Sequence, residues 1–327
     1  MNNKKKILFR ADANYGIGSG DLISLINLSE YFAPEYECFF IAKKYPSAVN
    51  IFSVRGMKDN AVLIDPKIEF TDEITFIDNF IEEKKIGIIV LEITERKLNE
   101  YDRLESTVKR ISIDFYGYPL RESSIVLNWM PNAEDLYDFS SFPQTQFFLG
   151  PEYVILSKAF LDVPRGEIER KYVLVAMGGN DERNLTMKVV RLLMQIGVPD
   201  IKVIIGPGYK WKQELISILP AKIEVKENVI DMLSEYLSAK VVISTGGLIS
   251  SEVVFTNTPL VVIATYPHQI ARCKFFQSIG VARYIGYIDF DERALADSVL
   301  NYSDIFSGRN ILKPKILEFI KAVKEIV

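Results

Sequence analysis

Short apolar runs alternate with amphipathic stretches along the whole chain. In the first half, residues 7–10, 38–42, 86–91, 110–114 and 125–128 read as strands, and 22–32, 74–85 and 97–107 as helices. In the second half, strands are predicted at 172–177, 202–205, 223–225, 241–244 and 260–263. Helices are predicted there at 184–196, 210–219, 229–238, 250–255, 269–279 and 292–300. This alternation of strand and helix is the signature of α/β layering on parallel sheets.

Two glycine loops interrupt the pattern at matching places, each after an apolar strand and before a helix. In the second half, Val241-Val242-Ile243 runs into Ser244-Thr245-Gly246-Gly247-Leu248, and the stretch from Ser250 to Phe255 is helix-forming. A strand, a tight turn and a helix N-terminus aim several backbone N–H groups at one point, which suits a phosphate or diphosphate. Glu252 lies one turn into that helix, where an acceptor can take the hydroxyls of an attached ribose. A glycine pair that only makes a tight βα turn explains the same motif. In the first half, Ile7-Leu8-Phe9 leads into a loop with Gly16, Gly18, Ser19, Gly20 and Asp21. Its spacing misses the dinucleotide pattern, and no acidic residue ends a second strand to hold a ribose, which sets NAD aside.

Composition then bounds the classes. The chain has 327 residues, 48% hydrophobic and 25% charged, as in ordinary globular proteins, and that length favours two domains. The segment 156–170, with Pro164, Gly166 and several charges, is the candidate hinge. It divides an N-terminal domain, 1–157, from a C-terminal domain, 171–327, with 158–170 between them. Residues 315–327 are amphipathic and are expected to pack back on the first domain. Both sheets are expected to turn their C-terminal ends to one cleft. The net charge is −4, with no basic stripe beyond Lys4-Lys5-Lys6, so nucleic acid is not an expected partner. No run approaches the ~20 apolar residues of a membrane helix, and nothing reads as a signal peptide. Cys38 and Cys273 fit free thiols, and a cytoplasmic location is expected. One histidine and two cysteines leave no tetrahedral zinc cluster, and neither a metal nor a cofactor is expected.

Further motifs recur in a specific order. Arg10-Ala11-Asp12 precedes Gly16-Ile17-Gly18-Ser19-Gly20, and Leu149-Gly150-Pro151-Glu152-Tyr153 follows. Met177-Gly178-Gly179-Asn180-Asp181 comes next, then Gly246-Gly247 with Glu252, and Asn257-Thr258-Pro259 leading to His268-Gln269. In order and spacing these resemble the UDP-sugar hydrolases of pseudaminic acid biosynthesis (PseG) and the related SpsG proteins, relatives of MurG-type glycosyltransferases. The resemblance spans most of the chain. It implies the GT-B fold, an α/β architecture of two Rossmann-like parallel-sheet domains facing a cleft. It also implies a UDP-sugar site in the C-terminal domain. There Gly246, Gly247 and Leu248 meet the diphosphate, and Glu252 the ribose. Gly178, Gly179 and Asn180 border the same pocket, and His268 and Gln269 face the sugar.

The N-terminal half departs from that pattern. Where the resemblance implies a catalytic His and an Arg after the first glycine loop, this chain has Asp21 and Ser24. A Tyr after the 86–91 strand is replaced by Glu92-Ile93-Thr94, an acidic pair is reduced to Asp114-Phe115, and a hinge Arg is Ser157. Asp21 in Gly20-Asp21-Leu22 is similar to the base of some inverting GT-B glycosyltransferases. A carboxylate favoured by a helix dipole is the alternative. Gly18, Ser19 and Gly20 are expected to line the sugar. The expected activity is displacement of UDP from the anomeric carbon of a UDP-sugar by water, in surface-glycan or nonulosonic acid biosynthesis. Transfer to an acceptor glycan, and a binding protein without catalysis, are the alternatives.

Overall fold

A computed structural model describes residues 4–14, 16, 18–94, 96–163, 168–305 and 312–326. The chain divides into two compact units, Met1–Lys158 with Pro314–Val327, and Ala159–Lys313. Residues 164–167 of the expected hinge lie outside the described residues.

In the first unit β1 (Lys5–Ala11), α1 (Gly20–Phe32), β2 (Tyr36–Lys43), α2 (Pro46–Val54), β3 (Ala61–Ile64), α3 (Phe70–Lys84) and β4 (Ile88–Glu92) follow in order. After them come β5 (Lys109–Ile113), β6 (Ser123–Asn128) and β7 (Gln146–Leu149). The seven strands form one parallel sheet in the order β3-β2-β1-β4-β5-β6-β7. Helices cover both faces, so the central strands are apolar throughout rather than alternating. Leu8, Ile41 and Ile89 pack towards Ile74 and Ile77 of α3. Phe9 instead stacks on Phe40, at 5.1 Å between ring centroids, and lies 6.4 Å from Phe32 of α1. Adjacent residues of β1 thus serve opposite faces of the sheet.

The Arg10-Ala11-Asp12 motif fixes the end of β1. Arg10 is fully buried and pairs with Asp12 at 2.7 Å and with Glu73 of α3 at 2.8 Å. Tyr101 donates its hydroxyl to the same Glu73 oxygen at 2.6 Å, and Asp12 Oδ1 accepts the Lys43 N–H at 2.7 Å. Asp12 is therefore a structural link between β1 and the end of β2. Removing either carboxylate partner would leave a buried charge short of its pair, a change of about 3–5 kcal/mol.

The second unit contains β8 (Tyr172–Ala176), α4 (Leu185–Gln195), β9 (Ile201–Ile205), α5 (Lys212–Ile218), β10 (Glu224–Glu227) and α6 (Met232–Leu237). β11 (Ala239–Thr245), α7 (Leu248–Phe255), β12 (Leu260–Ala264), α8 (Pro267–Ser278), β13 (Ala282–Tyr287) and α9 (Glu292–Leu300) complete it. Its six parallel strands run β10-β9-β8-β11-β12-β13. One face of its core joins Val175, Val203, Val241 and Ile243 to Leu185, Val189 and Leu193 of α4. The last helix, α10 (Ile316–Glu325), belongs to the first unit. Its Phe319 meets Phe148 edge to face at 5.6 Å, and Lys315 donates its N–H to the Glu152 carbonyl at 2.8 Å.

One predicted helix is overturned. Residues 97–107 form only a 3-10 turn, Leu98–Arg103, because Leu98, Tyr101 and Leu104 are drawn into the core and the Asn99 N–H is given to the Tyr118 carbonyl. Strands β3, β7 and β13, with helix α2, are additional to the elements predicted.

Candidate functional site

Each sheet has one place where neighbouring strands leave in opposite directions along the chain. In the first unit it lies between β1 and β4, and in the second between β8 and β11. Loops at the carboxyl ends of such strands diverge and leave a crevice, the usual ligand position in open α/β sheets. The two glycine loops fall at these two places, one after β1 and one after β11.

At the first, β1 and β4 pair in a register that sets Ala11 opposite Glu92. The loop after β1 turns back on itself, with Gly18 at φ 84° and paired hydrogen bonds between Asn14 and Gly18. The Gly18 N–H is given to the Asn14 carbonyl at 3.0 Å. Ser19 precedes the helix without capping it through its side chain, and Gly20 opens α1. Asp21 lies in the first helical turn, where a negative charge suits the dipole. Thr94, just past β4, donates its hydroxyl to Asp21 Oδ2. Ser24 Oγ, one turn further along α1, is hydrogen-bonded both to the Asp21 carbonyl oxygen, at 2.9 Å, and to Glu92 Oε2.

Four of the positions that depart from the resemblance, Asp21, Ser24, Glu92 and Thr94, are therefore one hydrogen-bonded cluster. Glu92 is only 2% exposed, and Ser24 1%. Burial, with a smaller contribution from the charge of Asp12, pushes the Asp21 carboxyl up to about 7, against the opposing bond from Thr94. Burial and the neighbouring Asp21 hold Glu92 well above the usual carboxylate range. Tyr116, from the loop after β5, is 41% exposed and sits near Asp21, whose charge adds to burial in raising the phenol. In the sequence Glu92 stands out only as a substitute for a Tyr. A charged residue ending the apolar run Ile88-Ile89-Val90-Leu91 was the signal, since burying it is costly without a purpose.

The second site is built from backbone. Gly178 takes φ 91°, a conformation open to glycine, and an added Cβ would come within 3.7 Å of Thr245 Oγ1. The Gly179 carbonyl accepts the Gly208 N–H at 2.9 Å. A Cβ on Gly206 would lie 2.3 Å from that carbonyl oxygen, and one on Gly208 2.2 Å from the Asn180 amide oxygen. Asn180 itself is buried. Gly206 and Gly208, unremarked in the sequence, are what let the loops after β8 and β9 touch. Asp181 accepts the Leu185 and Thr186 N–H groups at 2.8 Å each and so caps α4.

The glycine pair after β11 splits in role. Gly246 gives its N–H to the Ile263 carbonyl at 3.0 Å, and an added Cβ would fall 2.5 Å from Cys273 Sγ and 2.9 Å from Gln269 Cβ. It is a packing glycine that admits α8. Gly247 is the N-cap of α7, with Leu248 its first residue; a Cβ there would meet only Gln269 Nε2 and Thr245 Oγ1, at 3.8 Å. Arg272, buried behind this turn, donates to the Gly246 carbonyl at 3.1 Å, and burial brings its pKa down to about 10. Glu252 is buried too, and the fully buried Tyr236 donates its hydroxyl to Glu252 Oε2 at 2.7 Å. Gln269 Oε1 accepts from the Thr265 N–H at 2.9 Å and its hydroxyl at 3.0 Å. His268 is exposed on the first turn of α8 and stacks on Tyr266 at 5.7 Å and 9°. Among the described residues, no group of three or more His, Cys, Asp or Glu side chains is placed to hold a metal ion, and no helix is long and apolar enough to cross a membrane.

No protein-family model matches the chain. The chain is 30% identical over 152 residues to the spore coat polysaccharide biosynthesis protein SpsG of Bacillus subtilis, covering 43% of this chain and 44% of that protein. It is 30% identical over 141 residues to an uncharacterized protein of Methanocaldococcus jannaschii, MJ1062, covering 39% and 29%. The match thus spans less than half the length of either relative. Among solved structures, MurG of Acinetobacter baumannii superposes with a TM-score of 0.62 over 98% of this chain and 99% of its own, at 14% identity. The glycosyltransferase SsfS6 of Streptomyces sp. SF2575, complexed with thymidine diphosphate, gives 0.62 over the same shares at 11% identity. With its two parallel-sheet, Rossmann-like units, the chain has the GT-B glycosyltransferase fold.

Proposed function

We propose that the chain is a nucleotide-sugar enzyme that displaces UDP from the anomeric carbon of a UDP-sugar. Gly247, Leu248 and the first turn of α7 receive the diphosphate, with the buried Arg272 guanidinium behind the turn adding positive charge. Glu252, steadied by Tyr236, receives the ribose hydroxyls. Gly178, Gly179 and Asn180 border the nucleotide, and His268 and Gln269 lie towards the sugar. Gly18, Ser19 and Gly20 are the sugar-side contacts of the first unit. Asp21 is the base: it takes the proton from the attacking oxygen as that oxygen bonds to the anomeric carbon. The bond to the diphosphate breaks, and UDP departs with its electron pair.

The observation that carries this reading is the clustering of Asp21, Ser24, Glu92 and Thr94. A site that had only lost its His would leave scattered substitutions. Here four of the replacements, Asp21, Ser24, Glu92 and Thr94, bond to one another and hold a carboxyl whose pKa lies near neutrality, where a general base is most effective. Water is the acceptor in the hydrolase reading. Transfer to a glycan hydroxyl is the second reading, favoured by the carboxylate in the place of the His. Incubating the protein with a panel of UDP-sugars, with and without acceptor glycans, tests both. UDP with free sugar supports hydrolysis, and UDP only with acceptor supports transfer. UDP-sugar binding without UDP release would leave a binding protein.

A further inference from the structure

Hydrogen-bond counting in the Asp21 cluster identifies one proton that no assigned role uses. Ser24 has a single O–H yet contacts two oxygens, the Asp21 carbonyl and Glu92 Oε2. A carbonyl oxygen only accepts, so both contacts are full hydrogen bonds only when Ser24 gives its proton to the carbonyl and Glu92 keeps a proton of its own to give to Ser24 Oγ; an ionised Glu92 would compete with the carbonyl for the one Ser24 proton. Thr94 in turn gives its proton to Asp21 Oδ2, which suits an ionised Asp21. We infer that Glu92 is a positioning residue that keeps its proton while Asp21 is ionised, so that two adjacent carboxyls carry a single negative charge. This inference rests on Asp21 as the base of the proposed reaction.

The surroundings agree with the count. Glu92 ends a strand buried on both faces, and among the described residues no cation pairs with it or with Asp21. The groups that face Asp21 are Asp12 from the loop after β1 and Tyr116 from the loop after β5; Asp21 is the charged group that faces Glu92. Asp12 already has Arg10 as its partner, so that cation is engaged elsewhere. With two carboxyls in one poorly solvated place, the second proton is hard to remove. The retained proton lets Glu92 hold Ser24, and Ser24 in turn holds the turn of α1 that presents Asp21. Ionising Glu92 would draw the Ser24 proton away from the Asp21 carbonyl and set two like charges side by side.

Infrared spectroscopy of the full chain, labelled with carbon-13 at glutamate carboxyls, tests this directly. The wild type is expected to show a protonated-carboxyl band at neutral pH that is absent from Glu92→Gln. In Asp21→Asn the band should titrate away at lower pH than in the wild type, because the like charge has gone. A wild type without the band at neutral pH, or a band that titrates identically with and without Asp21, overturns the inference. The comparison of wild type with Asp21→Asn stands even if Glu92→Gln does not fold. Where turnover is measurable, kcat should fall on the alkaline side as Glu92 ionises, and Glu92→Gln should lose that alkaline limb while keeping the acid limb set by Asp21. An alkaline limb that persists in Glu92→Gln counts against the role. A band present without turnover on any UDP-sugar defeats the proposed reaction but leaves the shared proton standing.

Discussion

The two units begin alike, with a buried parallel strand, a glycine loop and a helix at the point where strand order reverses, yet they are finished in opposite ways. Between β8 and β11 the groups that matter are backbone: glycines let loops touch, and side chains such as Asp181 and Gln269 are occupied in holding backbone N–H groups. Between β1 and β4 the groups that meet are side-chain hydroxyls and carboxyls. Backbone N–H groups at a helix start keep one charge state at every accessible pH and so suit a constant anion. A carboxyl crowded out of water, as Asp21 is, changes charge near neutrality and suits a proton that must move. On the proposed function, the second unit is thus suited to recognition and the first to proton transfer.

The sharpest way to break this comparison is to remove the proton acceptor alone. Asp21→Asn keeps size and hydrogen bonding, and kcat should fall about 10²–10⁴-fold, the span of general base catalysis, while UDP affinity holds. Steady-state kinetics with calorimetric UDP titration checks both halves; equal loss of affinity would mean the two ends are not separate in function. The reciprocal change is Glu252→Ala. It should weaken UDP binding by about 1.5–3 kcal/mol, the range for a hydrogen bond to a charged group, and leave the pH dependence of turnover unmoved. Unchanged calorimetric affinity would remove Glu252 from the nucleotide site.

The smallest effect concerns stability. The folded-state pKa of Asp21, about 7, lies above its unfolded value of ~4. The native state therefore loses stability as pH rises from about 4 to 7 and keeps that loss above 7. Asp21→Asn should be more stable than the wild type by about 1–2 kcal/mol at pH 8, the cost being moderated by the partial exposure of the residue, and the gain should vanish near pH 4. Thermal melts across that range read the difference. A gain that is flat with pH would mean the carboxyl is not held out of water.

What the sequence disclosed follows the same physics. Strands buried on both faces, such as Ile88–Glu92 and Ala239–Thr245, have apolar runs that no other element explains. The strands that went unpredicted, Ala61–Ile64, Gln146–Leu149 and Ala282–Tyr287, are sheet edges, half exposed and mixed in polarity. Asp21 and both glycine loops were visible as motifs. Their partners were not, because Glu92 and Thr94 stand some seventy positions from Asp21 and Ser24 in sequence and meet them only through the pairing of β1 with β4. Gly206 was silent for the same reason: nothing local shows that the Gly179 carbonyl comes within 2.3 Å of where its Cβ would be.

The position of α10 bears on how the chain is made. The second unit is contiguous, Ala159–Lys313, and emerges from the ribosome whole. The first unit has its sheet complete by Leu149 but lacks Phe319 and its neighbours until α10, which follows the second unit in sequence, is translated. Through all of that synthesis, the surface around Phe148 is a nascent apolar face without its cover, the kind of exposure that draws chaperones. Of the two units, the one begun first is thus the one whose last element is made second.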